Sequence, residues 1–521
     1  MADTSRVNLT IEGRPVAVPA GTNLIEAAKQ AGVLIPHYCY HPGLPVAGVC
    51  RMCLVEVEKA PKLAPACATA VAEGQVVHVH SEKAREARKG VLEMLLINHP
   101  LDCPICDQSG ECELQDYTYQ EGRADSRYRE PKRFNPVEDF GGDVVYVTSR
   151  CILCTRCVRF MDDVAHDAVL NVSERGDRAT IGKFEGKDLT NPWAANVVDL
   201  CPVGALLSKD FLHKARAWEL DRTASVCTGC SQGCNIIVET RDNVVMRVRP
   251  RSNESVNQFF MCDEGRFGYR KFNAPSRLEA PSILGPRGHE AVDWDIALEA
   301  AARVLRGKRA FVVASPNLSN ETLYLLGRLM KKFSGVGTYR VARGPEAPLP
   351  GVDDLALRAD RAANPRGADL LGFSRSDTPF AGLAAGDALV LADHELTDAD
   401  LAAVSRASAV IVLATAMPQG LPRADVVLPI ATTVEEEGTF TNLRGRVQRF
   451  LQAKAAPGLA RPSWFVMSDL LGATGETTTY FTASDVFEGL ATSHDAFRGL
   501  TYDTLGVRGL PIAGAMAGAS A

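Results

Sequence analysis

The sequence predicts small α+β domains in the first half of the chain and an α/β domain with a parallel sheet in the second half. Two observations lead to this division. All 15 cysteines lie between Cys39 and Cys262, whereas the later residues alternate short apolar runs with helical patterns. With 521 residues, of which 46% are hydrophobic, the chain is long enough for several globular cores.

Residues 1–82 are predicted to contain a hairpin, a helix and two further strands. Apolar residues alternate on either side of a turn at Gly13, which is a hairpin signal. Asn23 is followed by a glutamate at capping-box spacing, so a helix begins there. Strands are predicted at 54–57 and 76–79. This order of elements is typical of a β-grasp ferredoxin-like domain.

The next segment is predicted to form a helix that ends beside a histidine. Apolar or small residues recur at helical spacing from Lys83 to Asn98, and Pro100 ends the helix. His99 therefore lies in a loop. A stretch with several prolines and glycines, residues 274–288, indicates a later boundary. The remaining predicted domains are residues 83–139, 140–220, 221–275 and 276–521.

The second half of the chain contains short apolar runs that are separated by helical patterns. Continuous apolar runs of this length are typical of strands that are buried on both faces of a parallel sheet. We therefore expect an α/β parallel-sheet domain. The predicted strands are Phe311–Ala314, Ala388–Ala392, Val410–Ala414 and Val426–Pro429.

The cysteines sort into four sets, named here sites one to four, when one histidine is counted as a ligand. Disulfides are disfavoured because thiols stay reduced in the cytosol, and an odd number of cysteines leaves one unpaired. Spacings of two intervening residues let thiolates converge on one metal centre from a single loop. The candidate ligands are Cys39, Cys50, Cys53 and Cys67 (site one); His99, Cys103, Cys106 and Cys112 (site two); Cys151, Cys154, Cys157 and Cys201 (site three); and Cys227, Cys230, Cys234 and Cys262 (site four).

Sites one and two are predicted to hold a [2Fe-2S] and a [4Fe-4S] cluster. In site one, a loop supplies three thiolates and a following segment supplies the fourth, which is enough for both irons of a binuclear cluster. A structural zinc ion also accepts four thiolates, but the β-grasp pattern favours iron and sulfide. Site two has three cysteines, and the neutral imidazole of His99 fills the fourth position. The alternative for His99 is a hydrogen-bonding role.

Sites three and four are each predicted to hold a [4Fe-4S] cluster. Site three has three cysteines at the spacing of the [4Fe-4S] motif of bacterial ferredoxins. The fourth cysteine, Cys201, lies further along the chain and is followed by Pro202, as in that motif. A two-cluster ferredoxin would need a second such run in this region, and none exists. Site four has four thiolates at cubane spacing, although a ribbon-like zinc site uses similar pairs.

The four sites, in this order and at these spacings, resemble those of the large iron–sulfur subunit family (the G subunit) of bacterial NADH-quinone oxidoreductase, the respiratory complex I. The resemblance continues beyond the cysteines. Segments 227–234, 257–266, Leu318–Glu321 and Glu437–Asn442 resemble parts of a molybdopterin-oxidoreductase-type domain. The resemblance implies a shortened domain of that type at the rear of the chain, without molybdopterin.

The resemblance also implies a role in electron transfer. Site one would receive electrons from a flavin-bearing NADH-binding subunit, and site three would pass them to site two. Site two would pass them to a ferredoxin-like two-cluster subunit on the way to quinone, with site four off this path. The implied cofactors are one [2Fe-2S] and three [4Fe-4S] clusters. The chain would be a conduit within a proton-translocating enzyme, since no catalytic constellation is evident.

Composition argues against a membrane or nucleic-acid protein. The sequence has no run of roughly 18 apolar residues, and the start at Met1–Arg6 has no apolar segment to direct export. We therefore expect a cytoplasmic protein, held at the cytoplasmic face of the inner membrane through other peripheral-arm subunits. The net charge of −6 gives no basic field for nucleic acid.

Two rivals share part of this pattern. An iron–sulfur subunit of an NAD-linked formate dehydrogenase or hydrogenase complex would have the same cluster ligands. A catalytic formate dehydrogenase or iron-only hydrogenase is disfavoured, because no cysteine follows Cys262. A zinc-rich scaffold that only assembles partners is the non-redox alternative, and it predicts zinc without labile sulfide.

Overall fold

A computed structural model of the chain describes residues 6–514. It divides into two compact units. Unit 1 comprises Met1–Leu220 with Leu349–Asp353, and unit 2 comprises Asp221–Pro348 with Asp354–Ala521. Most of the segment used above to argue against an export signal lies outside the described residues. Within residues 6–514, no helix has the length and apolar character needed to cross a membrane.

Unit 1 contains ten strands and five helices among its described residues. The strands are β1 (Arg6–Ile11), β2 (Arg14–Pro19), β3 (Leu54–Val57), β4 (Ala64–Pro65), β5 (Gln75–His78), β6 (Val137–Gly141), β7 (Val144–Val147), β8 (Leu170–Ser173), β9 (Thr180–Lys183) and β10 (Leu206–Ser208). The helices are α1 (Leu24–Gln30), α2 (Glu82–Leu96), α3 (Glu113–Glu121), α4 (Arg156–Arg159) and α5 (Asn196–Leu200).

The first strands of unit 1 form a five-stranded sheet in the order β2-β1-β5-β3-β4. The predicted hairpin is confirmed, since β1 and β2 pair antiparallel, and β5 lies parallel to β1. The predicted helix cap is also confirmed, because the Asn23 side chain accepts a hydrogen bond from the Glu26 amide at 3.0 Å. The core of this region includes Leu9, Ile11, Val18, Leu24, Ile25 and Val55.

Helix α2 connects this sheet to the region of site two. The fully buried guanidinium of Arg88 pairs with Glu121 of α3 at 3.1 Å and donates to the Val79 carbonyl at 2.9 Å. The helix ends at Leu96, two residues earlier than predicted, because Lys132 donates to the carbonyl oxygens of Leu96 (2.7 Å) and Ile97 (3.1 Å). These bonds satisfy the last turn from outside the helix.

Unit 2 contains the remaining strands and helices. The strands are β11 (Asp221–Val226), β12 (Asn235–Arg241), β13 (Val244–Pro250), β14 (Ser282–Gly285), β15 (Gly288–Ala291), β16 (Ala310–Ala314), β17 (Val336–Tyr339), β18 (Ala347–Pro348), β19 (Ala356–Leu357), β20 (Ser374–Arg375), β21 (Ala388–Ala392), β22 (Ala409–Ala414), β23 (Val426–Pro429), β24 (Gly438–Thr441), β25 (Arg446–Phe450) and β26 (Leu510–Pro511). The helices are α6 (Asp263–Phe267), α7 (Trp294–Leu305), α8 (Asn320–Lys332), α9 (Pro365–Leu370), α10 (Asp398–Val404), α11 (Ser463–Ala473), α12 (Ala483–Ser493) and α13 (Tyr502–Leu505).

An eight-stranded sheet forms the centre of unit 2, in the order β15-β14-β23-β22-β21-β16-β17-β20. Strands β16, β21, β22 and β23 pair in parallel, as predicted. Each is buried along its whole length. Alternate residues enter two different cores, with Val312 and Val390 on one face and Phe311 and Leu389 on the other. Burial on both faces explains the continuous apolar runs.

Two buried carboxyl groups lie beside this core. Burial raises the pKa of Glu321 to about 7 and that of Glu436 to about 8. Glu321 accepts hydrogen bonds from the Tyr502 hydroxyl and the Thr439 amide, each at 2.9 Å. Glu436 accepts a 2.9 Å bond from the Ser463 hydroxyl. Neither carboxyl has a cationic partner in these contacts, so burial favours their protonated forms.

We predict that unit 2 becomes less stable as the pH rises from about 5 to about 8. Over that range the folded state retains protons on Glu321 and Glu436 that the unfolded state has released, so the unfolded state binds fewer protons and stability falls. The substitution Glu436→Gln removes one of these two titratable groups. The variant should therefore lose less stability than the wild type between pH 6 and pH 8, measured by thermal unfolding of the full chain.

The neighbouring Glu437→Gln provides the control, because the Glu437 side chain is 35% exposed and pairs with Arg449 at 3.0 Å. This variant should keep the pH dependence of the wild type. An equal loss of stability in Glu436→Gln and the wild type over the same pH range would show that Glu436 is not the group responsible.

Candidate functional site

The four cysteines of site one are close together in unit 1. Cys39 lies within hydrogen-bonding reach of the thiols of Cys50 and Cys67, and Cys67 also reaches Cys53. The Cys39 amide donates to the sulfur of Cys50 at 3.5 Å. Cys39, Cys53 and Cys67 are each 1% exposed. Three of the four candidate ligands of site one are thus buried, and Cys50 is half-buried.

Crowding changes the protonation of these thiols. Hydrogen bonds from Cys50 and Cys67 lower the pKa of Cys39, and a hydrogen bond from Cys67 lowers that of Cys53. The same contacts raise the pKa of Cys50 and Cys67, since those thiols act as donors. Binding of iron would require all four as thiolates, so it would release the protons that the donors hold.

Site two is formed by the loop after α2 and the start of α3. Cys112 immediately precedes α3, Cys106 is 8% exposed, and Cys103 lies at the surface. The Nδ1 atom of His99 is buried and has no hydrogen-bond partner among the described residues. Burial, with the positive charges of Lys132 and Arg150, lowers the pKa of His99 to about 4. The ring is therefore neutral at pH 7. Its unsatisfied nitrogen could then bind a metal.

Site three combines a tight loop with the residue after α5. Leu153 (φ 52°) and Thr155 (φ 60°) have left-handed backbone conformations, which are uncommon for side chains of these types. This path brings the Leu153 amide to 3.3 Å from the sulfur of Cys151. All four candidate ligands line one cavity, whose other lining residues are mostly apolar but include Thr155 and Arg156. Its lining includes Cys151, Cys154, Cys157, Cys201, Tyr146, Ile181, Val203 and Leu206.

Burial dominates the chemistry of the site-three thiols. It raises the pKa of Cys151 and Cys201 to about 11 and that of Cys154 to about 12. Cys157 is shifted in the same direction. The thiols are thus protonated at neutral pH, and binding of an iron–sulfur cluster would replace their protons with metal bonds.

Site four lies at one end of the antiparallel sheet β11-β12-β13 in unit 2. Cys227 follows β11 and Cys234 precedes β12, and the Cys227 amide donates to the Cys234 carbonyl at 2.9 Å. Cys262 caps α6 by accepting from the Gly265 amide at 3.4 Å. A Cβ at Gly265 would lie 2.8 Å from the Cys227 sulfur. A larger residue at position 265 would therefore collide with the sulfur of Cys227. The exposed fractions are 7% for Cys227, 4% for Cys230, 5% for Cys234 and 5% for Cys262.

Among residues 6–514, no three histidine, cysteine, aspartate or glutamate side chains are placed to hold a metal ion. The candidate sites are defined instead by the contacts, burial and cavity described above. The orphaned His99 nitrogen and the site-three cavity fit iron–sulfur groups with these ligands.

Arg156 joins the loops of three sites. It is buried and lies beside Cys157 of site three. It donates to the Tyr40 carbonyl at 2.8 Å, the Leu200 carbonyl at 3.2 Å and the Glu113 carboxylate at 3.3 Å. Each acceptor is next in sequence to a candidate ligand of a different site. These ligands are Cys39 (site one), Cys201 (site three) and Cys112 (site two).

Arg159 makes a second connection between sites one and three. One nitrogen of its guanidinium group donates to the Cys39 carbonyl at 2.6 Å and to the Cys154 carbonyl at 3.3 Å. Its other terminal nitrogen donates to the Pro45 carbonyl. The loops of sites one and three are therefore in contact through a single side chain.

Sites two and three are also in direct contact. The Glu113 amide donates to the Pro202 carbonyl at 3.0 Å, and a Cβ at Gly204 would overlap the sulfur of Cys106. The Arg216 guanidinium donates to the Cys106 carbonyl at 2.8 Å. Gly204 closely follows Cys201, a candidate ligand of site three, yet it lies against Cys106, a candidate ligand of site two.

The arginines at these contacts were not identified from the sequence. Arg150, Arg156 and Arg159 stand beside or between the cysteines of site three in the printed sequence. Cationic residues so close to several thiolates are a signal that could have been used. Their acceptors could not have been found in this way, since the bonded residues lie up to 120 positions away.

Five segments of the chain match family models of iron–sulfur or molybdopterin proteins. The matches are a 2Fe-2S iron-sulfur cluster binding domain (residues 4–82), the NADH-ubiquinone oxidoreductase-G iron-sulfur binding region (88–127), the ferredoxin-like domain of NADH-quinone oxidoreductase subunit 3 (141–207), a molybdopterin oxidoreductase Fe4S4 domain (220–274) and molybdopterin oxidoreductase (359–473). The chain thus contains iron–sulfur binding regions of both the 2Fe-2S and the 4Fe-4S type.

The chain is similar to subunits of NADH-quinone and NADH-ubiquinone oxidoreductases. The G subunit of NADH-quinone oxidoreductase from Rickettsia bellii is 40% identical over 338 residues, which are 64% of this chain and 49% of that protein. The mitochondrial NADH-ubiquinone oxidoreductase 78 kDa subunit of Candida albicans is 45% identical over 57% of this chain and 42% of its own length. The corresponding subunit of Neurospora crassa is 40% identical over 74% of this chain and 51% of its own length. The chain spans about half the length of these relatives.

A solved structure of an NAD⁺-reducing [NiFe]-hydrogenase in the H₂-reduced state contains a chain with partial similarity to this one. The match has a TM-score of 0.35 and 28% sequence identity, and it covers 40% of this chain and 90% of that chain.

We predict that Gly204→Ala disturbs site two more than site three. The added methyl group would overlap the sulfur of Cys106, so this candidate ligand must move or the loop must open. After anaerobic reconstitution, the variant should contain less iron than the wild type, with the loss confined to the EPR signal of site two.

Gly90→Ala is the matched control, because Gly90 lies within α2 and has nothing within 4 Å of its added Cβ. It should keep full iron content. Full occupancy of site two in Gly204→Ala would show that Cys106 is not held against Gly204.

Proposed function

We propose that this chain, a relative of the G subunit of NADH-quinone oxidoreductase, transfers electrons through iron–sulfur clusters at sites one to four. The observation that supports this most directly is the contact between candidate sites in unit 1. Arg156 donates to residues beside ligands of sites one, two and three, and Gly204 lies against Cys106. Redox centres held in loops that contact one another would form a path for electrons, whereas structural metal sites need no such contact.

We infer a [2Fe-2S] cluster at site one and [4Fe-4S] clusters at the other three sites. Such clusters supply reversible one-electron chemistry when bound. The protein contributes the ligands, the buried surroundings and the amide-to-sulfur hydrogen bonds, such as that from Leu153 to Cys151. Donors of this kind stabilise negative charge on sulfur and raise the potential. The fold around site one is proposed to be a β-grasp domain, within the boundaries 1–82 predicted above.

We further propose the direction of transfer that the family resemblance of the sequence implies. Electrons would enter at site one from a flavin-bearing NADH-binding subunit and pass through site three to site two. A two-cluster ferredoxin-like subunit would then accept them on the way to quinone. The assembled enzyme would be a proton-translocating oxidoreductase at the cytoplasmic face of the inner membrane. Site four, in unit 2, is proposed to lie off this route.

The surface around site two supports its proposed role as the exit. Cys103 is exposed, and three large apolar side chains near it in unit 1 are also exposed: Leu101 (86%), Ile105 (61%) and Trp218 (66%). Trp218 covers Gly110, since a Cβ there would lie 2.7 Å from its ring. Exposed apolar groups beside a redox centre favour docking of a partner protein.

The α/β region of unit 2 is proposed to be a molybdopterin-oxidoreductase-type domain without bound molybdopterin. The family-model match to residues 359–473 supports the type of domain. No cysteine follows Cys262 to supply a thiolate ligand for molybdenum. The predicted domains 83–139, 140–220, 221–275 and 276–521 complete this proposal.

Iron and acid-labile sulfide content test the proposed function directly. Anaerobically prepared wild-type chain should contain about 14 iron atoms, the total for one binuclear and three cubane clusters. Low-temperature EPR of the reduced protein should show one binuclear and several tetranuclear signals. Zinc in place of iron at all four sites, without labile sulfide, would refute electron transfer.

His99 provides a sharper prediction for site two. His99→Ala removes the fourth ligand and should abolish or impair that cluster, whereas His99→Cys should retain a cubane with a changed potential, because thiolate replaces imidazole. The readout is the EPR signal of site two during a potentiometric titration.

His78→Ala serves as the control for His99, since the His78 side chain is 41% exposed and pairs with Glu58 at 3.0 Å. It should leave all signals unchanged. An unaltered site-two signal in His99→Ala would show that His99 is not a ligand.

The proposed exit surface can be tested with Leu101→Glu. A charge at this exposed position should weaken association with the two-cluster ferredoxin-like subunit at least tenfold, measured by co-purification or interferometry. Phe481→Glu, at an 84% exposed position in unit 2, is the matched control. Unchanged affinity in Leu101→Glu, with site two fully loaded, would place the exit elsewhere.

A further inference from the structure

We propose that Arg159 is a positioning residue that couples sites one and three. Its guanidinium group holds the two ligand loops together and places one positive charge beside both sites. This inference rests on the proposed function, since it assigns to Arg159 an effect on two clusters. It adds a residue whose contribution neither the spacing of the cysteines nor the matched families identify.

The hydrogen bonds of Arg159 tie the two sites at the backbone of their own ligands. The same nitrogen donates to the carbonyl oxygens of Cys39 (2.6 Å) and Cys154 (3.3 Å). These two oxygens are therefore within about 6 Å of each other. A further bond to the Pro45 carbonyl holds the guanidinium on the loop of site one, and its Nε donates to Thr155 at 3.3 Å.

In these contacts the guanidinium group of Arg159 donates hydrogen bonds only to uncharged oxygen atoms. The acceptors are three main-chain carbonyls and one hydroxyl. Asp163 is close enough for its charge to act on Arg159, but it accepts none of these bonds. Arg156 differs, because it pairs with the Glu113 carboxylate at 3.3 Å. Both charges act on Cys154, but of these two arginines Arg159 is the one that bonds a ligand carbonyl of site one and a ligand carbonyl of site three.

A fixed positive charge stabilises the reduced form of a nearby cluster. Reduction adds one negative charge, and in a partly buried environment that charge interacts strongly with a cation a few ångströms away. The reduction potentials of sites one and three should thus both be higher with Arg159 than without it. Because one guanidinium serves both sites, its removal should move the two potentials in the same direction.

The test uses the full chain with reconstituted clusters and compares Arg159→Gln with Arg159→Lys. Potentials are measured by EPR during redox titration. The signal of site one is identified by its loss in Cys50→Ser, and that of site three by its loss in Cys154→Ser. Arg159→Gln should make both potentials more negative and leave sites two and four unchanged. Arg159→Lys keeps the charge but reaches fewer carbonyls, so both shifts should be smaller.

Arg216→Gln is the matched control, because Arg216 donates to a ligand carbonyl of site two, that of Cys106, at 2.8 Å. It should move the potential of site two and leave those of sites one and three unchanged. This pattern separates a local charge effect from a general loosening of unit 1.

Three results would overturn the proposal in a chain that holds its clusters. These are unchanged potentials at sites one and three in Arg159→Gln, a shift at only one of them, or equal shifts at all four sites. If Arg159→Gln fails to load clusters, the neutral variant Arg159→Met decides, and wild-type potentials at both sites in that variant would refute the coupling. A wild-type chain without iron and sulfide would refute the proposed function instead.

Discussion

The cysteine loops of unit 1 depend on guanidinium groups that satisfy their main-chain carbonyls. A loop that directs its sulfurs inward leaves carbonyl oxygens outside helices and sheets, and a buried carbonyl without a partner costs free energy. Arg156, Arg159 and Arg216 donate to carbonyls beside or within the ligand sets. Each of these arginines bonds a segment more than 100 residues away. The bonds that stabilise the loops therefore also fix the spacing of the sites within the unit.

Unit 2 supports its candidate site by a different arrangement. Site four is built from a hairpin connection and the cap of a short helix, and Gly265 leaves the space beside Cys227. The large parallel sheet next in the chain is held by two apolar cores. Its buried carboxyl groups, Glu321 and Glu436, are held by hydroxyl and amide donors rather than by cations. The folded form of this unit therefore favours the protonated state of these two carboxyl groups.

The agreement between sequence and structure is closest where local chemistry decides the conformation. The cap at Asn23, strand Leu54–Val57 and strand Val426–Pro429 were predicted within a residue, because side-chain periodicity and capping are short-range effects. The end of α2 was predicted two residues too late. Lys132 satisfies its last carbonyls from a distant segment, and no local pattern contains that information.

The sequence by itself predicts the kinds of ligand, their division into four sets and the order of the domains, since thiolate spacing and apolar periodicity are properties of short segments. Only the tertiary structure decided which loops touch. Arg159 bonds Cys39 across 120 positions, and Gly204, which follows Cys201 of site three, lies against Cys106 of site two. Such contacts depend on how separate elements pack, and packing is set by shape and burial over the whole unit. The contacts between the candidate sites are thus a property of the folded chain.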